Sequence, residues 1–259
     1  MMPAFFIAHG APLLAIENNE YTQFLSELGK KHSNPKAVIL FSAHWEASIQ
    51  QISDVGEYST IYDFGGFPEA LYQIQYPAKG KPGLTKEIED LFSKEGIPFQ
   101  IETRRGLDHG AWVVLRMLYP EADIPVIAMS VNQQLSPQQQ YQIGQALSAL
   151  REKDVMIIGS GGTVHNLRAV NFADNGPIDQ WALGFDTWLE VNLKEWNTEA
   201  LFNYYSLAPA AELAVPRYGK EHFVPIFYAM GAADDVKKAT LLHRSYRYGN
   251  LSHSVWQFG

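Results

Sequence analysis

The sequence predicts an α/β sandwich: a central, mostly parallel mixed sheet flanked by helices. Three observations carry that expectation. Short apolar runs recur along the chain, at Ala4-Phe5-Phe6-Ile7-Ala8, Ala37-Val38-Ile39-Leu40-Phe41 and Val155-Met156-Ile157-Ile158. None alternates with polar residues, which is the pattern of strands buried on both faces. Between them lie segments whose apolar residues fall at helical spacing, and strands alternating with helices define an α/β layer architecture.

Residues 4–8 read as the first strand. From about Glu17 to His32, Tyr21, Phe24, Leu25 and Leu28 share one helical face. Strand 37–42 follows, and Ile49 to Ile52 adds a neighbour. Gly56, Gly65, Gly66 and Pro68 punctuate an aromatic loop carrying Tyr58, Tyr62, Phe64 and Phe67. A short helix is expected from about Glu69 to Ile74, then a longer one from Leu84 to Lys94 that stops at Gly96. Phe99 to Thr103 reads as a strand and Ala111 to Leu118 as a helix ending before Pro120. After a strand over Ile124 to Val131, Ser136-Pro137 supplies an N-cap and a first-turn proline for a helix to about Leu150. Strand 155–158 leads into Gly159-Ser160-Gly161-Gly162. Trp181, Phe185, Trp188 and Leu189 line one face of a helix over 178–195, and 198–214 reads as helical. Pro225 suits only the first turn of a helix, so the helix through Ile226 to Met230 begins close to His222. Thr240 to Tyr246 and Ser254 to Phe258 are two closing strands. No repeat, low-complexity stretch or linker divides the chain, which predicts one domain over 1–259.

The 259 residues are 46% hydrophobic and 19% charged, ordinary values for a globular protein with a sizeable core. A formal charge of -8 without a Lys/Arg run argues against a nucleic-acid partner. There is no Cys, so disulfides and thiolate metal sites are excluded. No basic leader precedes the first strand and no apolar run approaches the ~20 residues of a membrane span, so a cytoplasmic location without membrane association is expected. The sequence leaves the oligomeric state open.

Eight histidines stand out by position. His32, His243 and His253 sit at a helix end and in the closing strands, where a structural or exposed role is the ordinary one. The other five do not fit that reading. His9, His44 and His165 follow three central strands, the end at which open α/β sheets bind ligands. His109 lies in a glycine-flanked loop after a fourth strand. His222 lies at a helix N-terminus, where the dipole favours neutral imidazole, the metal-binding form. Imidazoles without thiolate suit Fe(II), Zn(II) or Mn(II), although no compact His-Glu-x-x-His motif is present. The glycine run at 159–162 departs from a dinucleotide fingerprint at Val164. Its glycines are better read as letting backbone pass close to the site and turning His165 inward. The aromatic loop over 58–67 either caps the sheet or walls a pocket for a flat ring.

Six segments occur in a recognisable order: Phe6-Ile7-Ala8-His9-Gly10, Phe41-Ser42-Ala43-His44-Trp45-Glu46, Tyr62-Asp63-Phe64-Gly65-Gly66-Phe67-Pro68, Gly106-Leu107-Asp108-His109-Gly110-Ala111-Trp112, Gly159-Ser160-Gly161-Gly162-Thr163-Val164-His165-Asn166 and Glu221-His222-Phe223-Val224-Pro225. Together they resemble the 4,5-DOPA extradiol dioxygenase branch of the class III extradiol ring-cleaving dioxygenases, over nearly the whole chain. The resemblance implies one non-haem metal ion, Fe(II) for activity with Zn(II) able to take its place, and a catechol and O2 as reactants. It implies His9, His44 and His222 as metal ligands, and His165 as acid/base beside the metal, close enough to be a fourth ligand in zinc-loaded members. It implies His109 as a contact to substrate or oxygen. More distant class III enzymes complete a triad with Glu. Here Glu221 and His222 are adjacent and either could fill that position, the match to the DOPA branch favouring His222.

By the same resemblance, the ring opens beside the diol, and His165 takes a proton from the catechol or returns one later. An imidazole titrating near ~6.5 suits both directions. For the carboxylate of L-DOPA, Arg104, Arg105 or Arg217 are candidates, with a solvated surface charge as the ordinary reading of each. Two alternatives use the same residues: a zinc hydrolase activating water, and a metal- or aromatic-ligand-binding protein without chemistry.

Overall fold

The computed structural model describes residues 1–172 and 176–259. Eight strands form one sheet: Ala4–Ala8 (β1), Ala37–Glu46 (β2), Gln50–Ser53 (β3), Phe99–Glu102 (β4), Val126–Val131 (β5), Val155–Gly161 (β6), Ala239–Arg247 (β7) and Leu251–Phe258 (β8). Their order across the sheet is β4-β3-β5-β2-β6-β1-β8-β7. The four central strands β5, β2, β6 and β1 are mutually parallel. The hairpin β7–β8 adds to β1 through an antiparallel pair, and β3 joins β5 antiparallel. The mostly parallel mixed sheet expected from the sequence is what forms.

The helices are Glu20–Lys31 (α1), Glu69–Tyr72 (α2), Pro82–Lys94 (α3), His109–Leu118 (α4), Pro137–Ala146 (α5), Gln180–Lys194 (α6), Thr198–Phe202 (α7), Tyr204–Leu207 (α8), Ala211–Ala214 (α9) and Pro225–Gly231 (α10). Side chains alternate across the pleat, so each central strand feeds two cores. Phe6, Ile39, Phe41 and Ile157 face α3, α5, α6 and α10. Phe5, Ile7, Val38 and Leu40 face α1 and α4. The strands are buried on both sides, which is why their sequences are apolar without alternation.

Some boundaries differ from the sequence reading, each for a physical reason. Residues 198–214 are three short helices rather than one: the chain leaves helical geometry at Asn203, and again where Pro209 cannot continue a helix and Ala210 takes a left-handed conformation (φ 52°). β2 runs on to Glu46, so His44 lies inside the strand. β6 runs to Gly161, so Gly159 and Gly161 are strand residues. A Cβ on Gly159 would lie 2.2 Å from the Pro225 carbonyl oxygen, and one on Gly161 would lie 2.0 Å from that of His222. Glycine there allows the segment leading into α10 to cross the strand end in contact. His109 is the first residue of α4 rather than a loop residue. Asp108 caps that helix, its Oδ1 accepting from Ala111 N at 3.2 Å.

Candidate active site

The carboxyl ends of β1, β2 and β6 open onto a cavity of about 360 Å³, the position expected of a ligand site in an open parallel sheet. His9, His44, His109, His165 and His222 all line it. Five residues far apart in sequence thus meet in one place.

Backbone geometry brings each there. β1 delivers His9 directly after Ala8. Gly10 then turns the chain with φ +60°, where a Cβ would meet Leu14 Cδ1 at 2.6 Å and His253 Nε2 at 2.8 Å, so only glycine fits. His44 sits where the β2–β5 ladder breaks. Register passes from Phe41↔Met129 to Glu46↔Val131, five steps on β2 against two on β5. Such irregularities re-aim side chains near active sites. His222 ends the 3-10 turn Lys220–His222 just before α10, as Pro225 predicted. Its carbonyl accepts from Gly162 N at 2.8 Å, tying this turn to the end of β6.

His9, His44 and His222 each present one ring nitrogen, and the three nitrogens lie within 4.8 Å of one another. Their other nitrogens are spoken for. Ser160 Oγ donates to the Gly110 carbonyl at 2.5 Å and therefore accepts from His9 Nδ1–H at 3.1 Å. Glu221 Oε1 accepts from His222 Nδ1–H at 2.9 Å. His44 Nδ1 faces Asp63 Oδ2 at 3.4 Å. These partners put the protons on Nδ1 and leave lone pairs on Nε2. His9 Nε2 and His44 Nε2 stand 3.1 Å apart, where two lone pairs repel unless a cation is shared between them. Three neutral imidazoles with oriented outer partners are the donor set of a His-bound divalent metal. Of the two neighbours Glu221 and His222, it is His222 whose ring nitrogen groups with those of His9 and His44, while Glu221 stands behind it.

Burial pushes His9 and His222 well below the ordinary imidazole range, and the neighbouring imidazoles add to the shift. His44 is lowered to about 4 by burial and by His109, against partial opposition from Asp108 and Asp63. Uncharged rings are what a metal requires.

His165 stands apart from that triad. Its ring lies flat on His222, centroids 3.6 Å apart and planes 8° off parallel. Among the described residues its ring makes no hydrogen bond to protein. Burial, then His222, drives it well below 6.5 as well. That favours the proton-accepting form more strongly than the sequence alone implied.

His109 is held by Asp63 from two directions. Asp63 Oδ1 accepts from the His109 backbone N–H at 2.9 Å, and Oδ2 from the ring Nδ1–H at 3.0 Å. Burial raises the Asp63 carboxyl, but the bonds from His109 outweigh it and hold the group at about 2. Asp63 is therefore an anion, and it fixes the ring so that Nε2 is free.

Asp63 and Ser160 belong to motifs quoted from the sequence but carried no assigned role. Their signal was their place in those motifs. His253, expected to be structural, is buried and stacks on Tyr21 at 4.7 Å, and it also lines the cavity. The three arginines considered for a carboxylate do not line the cavity. Arg217 pairs with Glu212 at the surface, and Arg104 is exposed. Arg105 is half-buried and does not line the cavity. It braces β2, its Nη2 donating to the His44 carbonyl and to Asp108 Oδ2, both at 3.1 Å.

The chain matches the family described as the catalytic LigB subunit of aromatic ring-opening dioxygenase over residues 3–258. It belongs to that family. Curated relatives agree. It is 42% identical to the 4,5-DOPA dioxygenase extradiol of Beta vulgaris, over 98% of this chain and 95% of that one. It is 39% identical to the protein of the same name from Mirabilis jalapa, over 100% and 97%. It is 35% identical to that from Escherichia coli K12, over 100% and 95%. A crystal structure of an uncharacterized Escherichia coli K12 protein superposes with a TM-score of 0.85 at 32% identity, covering 100% of both chains. This LigB-family protein is an extradiol ring-opening dioxygenase, an oxidoreductase acting on an aromatic substrate with O2. Among the described residues no helix is long and apolar enough to cross a membrane.

Proposed function

We propose that this LigB-family enzyme opens the ring of a catechol, L-DOPA being the example that the relatives' names supply, at a single Fe(II) held by His9, His44 and His222. The whole chain acts as one catalytic domain, in the cytoplasm. The observation that carries this reading is the convergence of three imidazole nitrogens within 4.8 Å, each ring with its remote nitrogen engaged or facing a carboxylate. When bound, the metal supplies charge that acidifies the catechol hydroxyls and a common centre for both reactants.

The chain's own residues do the rest. Ser160 and Glu221 hold the His9 and His222 rings in the tautomer that presents Nε2. His165, neutral and with no ring hydrogen bond to a described residue, accepts the catechol proton and returns it to product. Its stack on His222 keeps it beside the metal triad without joining it, so we assign it as acid/base and not as a fourth ligand. His109, fixed by Asp63, directs Nε2 to oxygen or to a substrate hydroxyl. Phe64 and Phe67 of the aromatic loop wall the cavity, which excludes water from the reacting ring. A silent binding protein would need neither His165 nor the second oriented imidazole at His109.

Anaerobic reconstitution with Fe(II), followed by L-DOPA and oxygen, tests the reading. Oxygen uptake with the yellow colour of a ring-opened semialdehyde is the expected result. Protein shown to hold iron that takes up no oxygen with L-DOPA or simpler catechols would overturn it.

A further inference from the structure

The cavity runs from a floor of imidazoles to a mouth formed by Leu167, Phe172 and Tyr248. Leu167 and Phe172 keep 61% and 74% of their surface exposed, so this end of the cavity opens to solvent. A catechol seated with its diol towards the floor sends its ring substituent out through the mouth. A charged group at the far end of that substituent keeps its contact with water, so it loses little hydration on binding. What it meets there is decided by the charges at the rim.

No Lys or Arg lines the cavity itself among the described residues. Arg105, Arg217, Arg244 and Arg247 are each paired with a carboxylate, of Asp108, Glu212, Glu190 and Glu17 respectively. Arg168 differs from them. It directly follows Leu167 of the mouth, it is exposed, and it makes no ion pair among the described residues.

Its guanidinium is nonetheless placed. It lies over the Tyr218 ring, 4.1 Å from the centroid. The Tyr218 hydroxyl donates to Asn166 Oδ1 at 3.4 Å, and the same oxygen accepts from the Arg168 backbone N–H at 3.1 Å. Asn166 is buried, and its Nδ2 donates to the Leu213 carbonyl at 2.9 Å. One buried amide, next in sequence to His165, thus ties the arginine and the ring beneath it to the loop that carries the acid/base. A guanidinium stacked on a ring has its face covered and its N–H edge open, and that edge grips a carboxylate with two parallel bonds.

We propose that Arg168 is the specificity residue for the ring substituent: it receives a carboxylate at the mouth of the cavity and so selects catechols with an acidic side chain. The inference rests on the extradiol reading and deepens it. It gives the carboxylate of a substrate such as L-DOPA a partner that Arg104, Arg105 and Arg217 do not supply. The part of Arg168 is binding, not ring opening.

Three probes test this. L-DOPA and 3,4-dihydroxyphenylpropanoate carry the carboxylate, and 4-ethylcatechol carries none. Dissociation constants are measured by calorimetry on zinc-loaded protein without oxygen, and kcat and KM by oxygen uptake on iron-loaded protein. In Arg168→Gln, at an exposed position where the change costs the fold little, the dissociation constants and KM of both acids should rise about five- to tenfold. Their kcat should stay within about twofold, the mark of lost binding rather than lost chemistry. The values for 4-ethylcatechol should not move, and Arg168→Lys, which keeps the charge without the fork, should recover part of the affinity for the acids. Acids bound by Arg168→Gln as tightly as by the parent, or 4-ethylcatechol weakened as much as the acids, overturn the inference and leave the extradiol reading intact. Cleavage of none of the three by parent protein holding iron overturns the extradiol reading instead, and calorimetry then decides on Arg168 by itself. A parent that binds none of the three overturns both.

Discussion

Ser160 and His9 are 151 positions apart in sequence, yet Ser160 Oγ lies 3.1 Å from His9 Nδ1. The hydroxyl has already given its hydrogen to the Gly110 carbonyl, so it can only accept. His9 therefore carries its proton on Nδ1 and turns a lone pair towards His44 and His222. Ser160→Ala should leave a folded protein whose metal affinity is lower by about 10–100-fold, read by competition with a chromophoric chelator. An unchanged affinity would mean that β1 alone orients the ring.

Asp63 makes the same kind of contact to a residue outside the triad. Asp63→Asn replaces an anion that accepts two bonds from His109 with a group offering one acceptor and one donor. Turnover of the iron-loaded enzyme should fall by about 10–100-fold while most of the metal is retained. A variant that loses iron in proportion to activity would show that Asp63 acts through His44, whose Nδ1 it faces at 3.4 Å.

His165 and His44 should part company on mutation. His165→Ala is expected to keep its metal and lose about 10²–10⁴ in kcat; loss of metal would make His165 a ligand. His44→Ala should empty the site; full metal content by elemental analysis would remove His44 from the ligand set.

Gly161→Ala forces a Cβ to within 2.0 Å of the His222 carbonyl oxygen. The turn carrying His222 must move away from β6, breaking its bond from Gly162 N. Both metal affinity and melting temperature should drop, the latter by several degrees if about 1–3 kcal/mol is lost. A variant as stable and as metal-competent as the parent would show that α10 can shift without consequence.

Acid should destabilise the metal-free protein through its buried imidazoles. His253 is lowered to about 4, first by burial and then by Arg247 and His243. In the unfolded chain the ring takes up a proton near 6.5, whereas the folded state resists until about 4. Stability is therefore complete above pH 6.5 and declines as pH falls towards 4. From His253 alone the loss between pH 7 and pH 5 is about 2 kcal/mol. Urea unfolding at those two pH values should show a smaller difference in His253→Gln. An equal difference in both proteins would place the acid sensitivity elsewhere.

Much of this was legible from residue types. Val38-Ile39-Leu40-Phe41 is apolar on both faces because helices cover both faces, and that pattern survives in one dimension. His9, His44 and His165 were legible because a histidine at the end of a buried strand has few structural reasons to be there. The roles of Ser160, Asp63 and Glu221 were not. A serine or an aspartate becomes an orienting group only through a distance of about 3 Å, and no periodicity encodes that. His44 inside β2, rather than beyond it, depends on a break in register with β5 that only the paired strand reveals. The breaks within 198–214 were half legible: Pro209 was visible, but the left-handed Ala210 is imposed by tertiary context. Arg105 was misjudged because its partner, the His44 carbonyl, is backbone and carries no sequence signal.

The place of β1 in the sheet has a consequence for biosynthesis. Its two hydrogen-bonded neighbours are β6 and β8, built from residues 155–161 and 251–258. Both edges of β1 are therefore closed only by strands far along the chain, and His222 lies 213 positions from His9. On the proposed ligand set the site is complete only once these long-range pairings have formed as the chain is made, and contacts of such sequence separation slow folding.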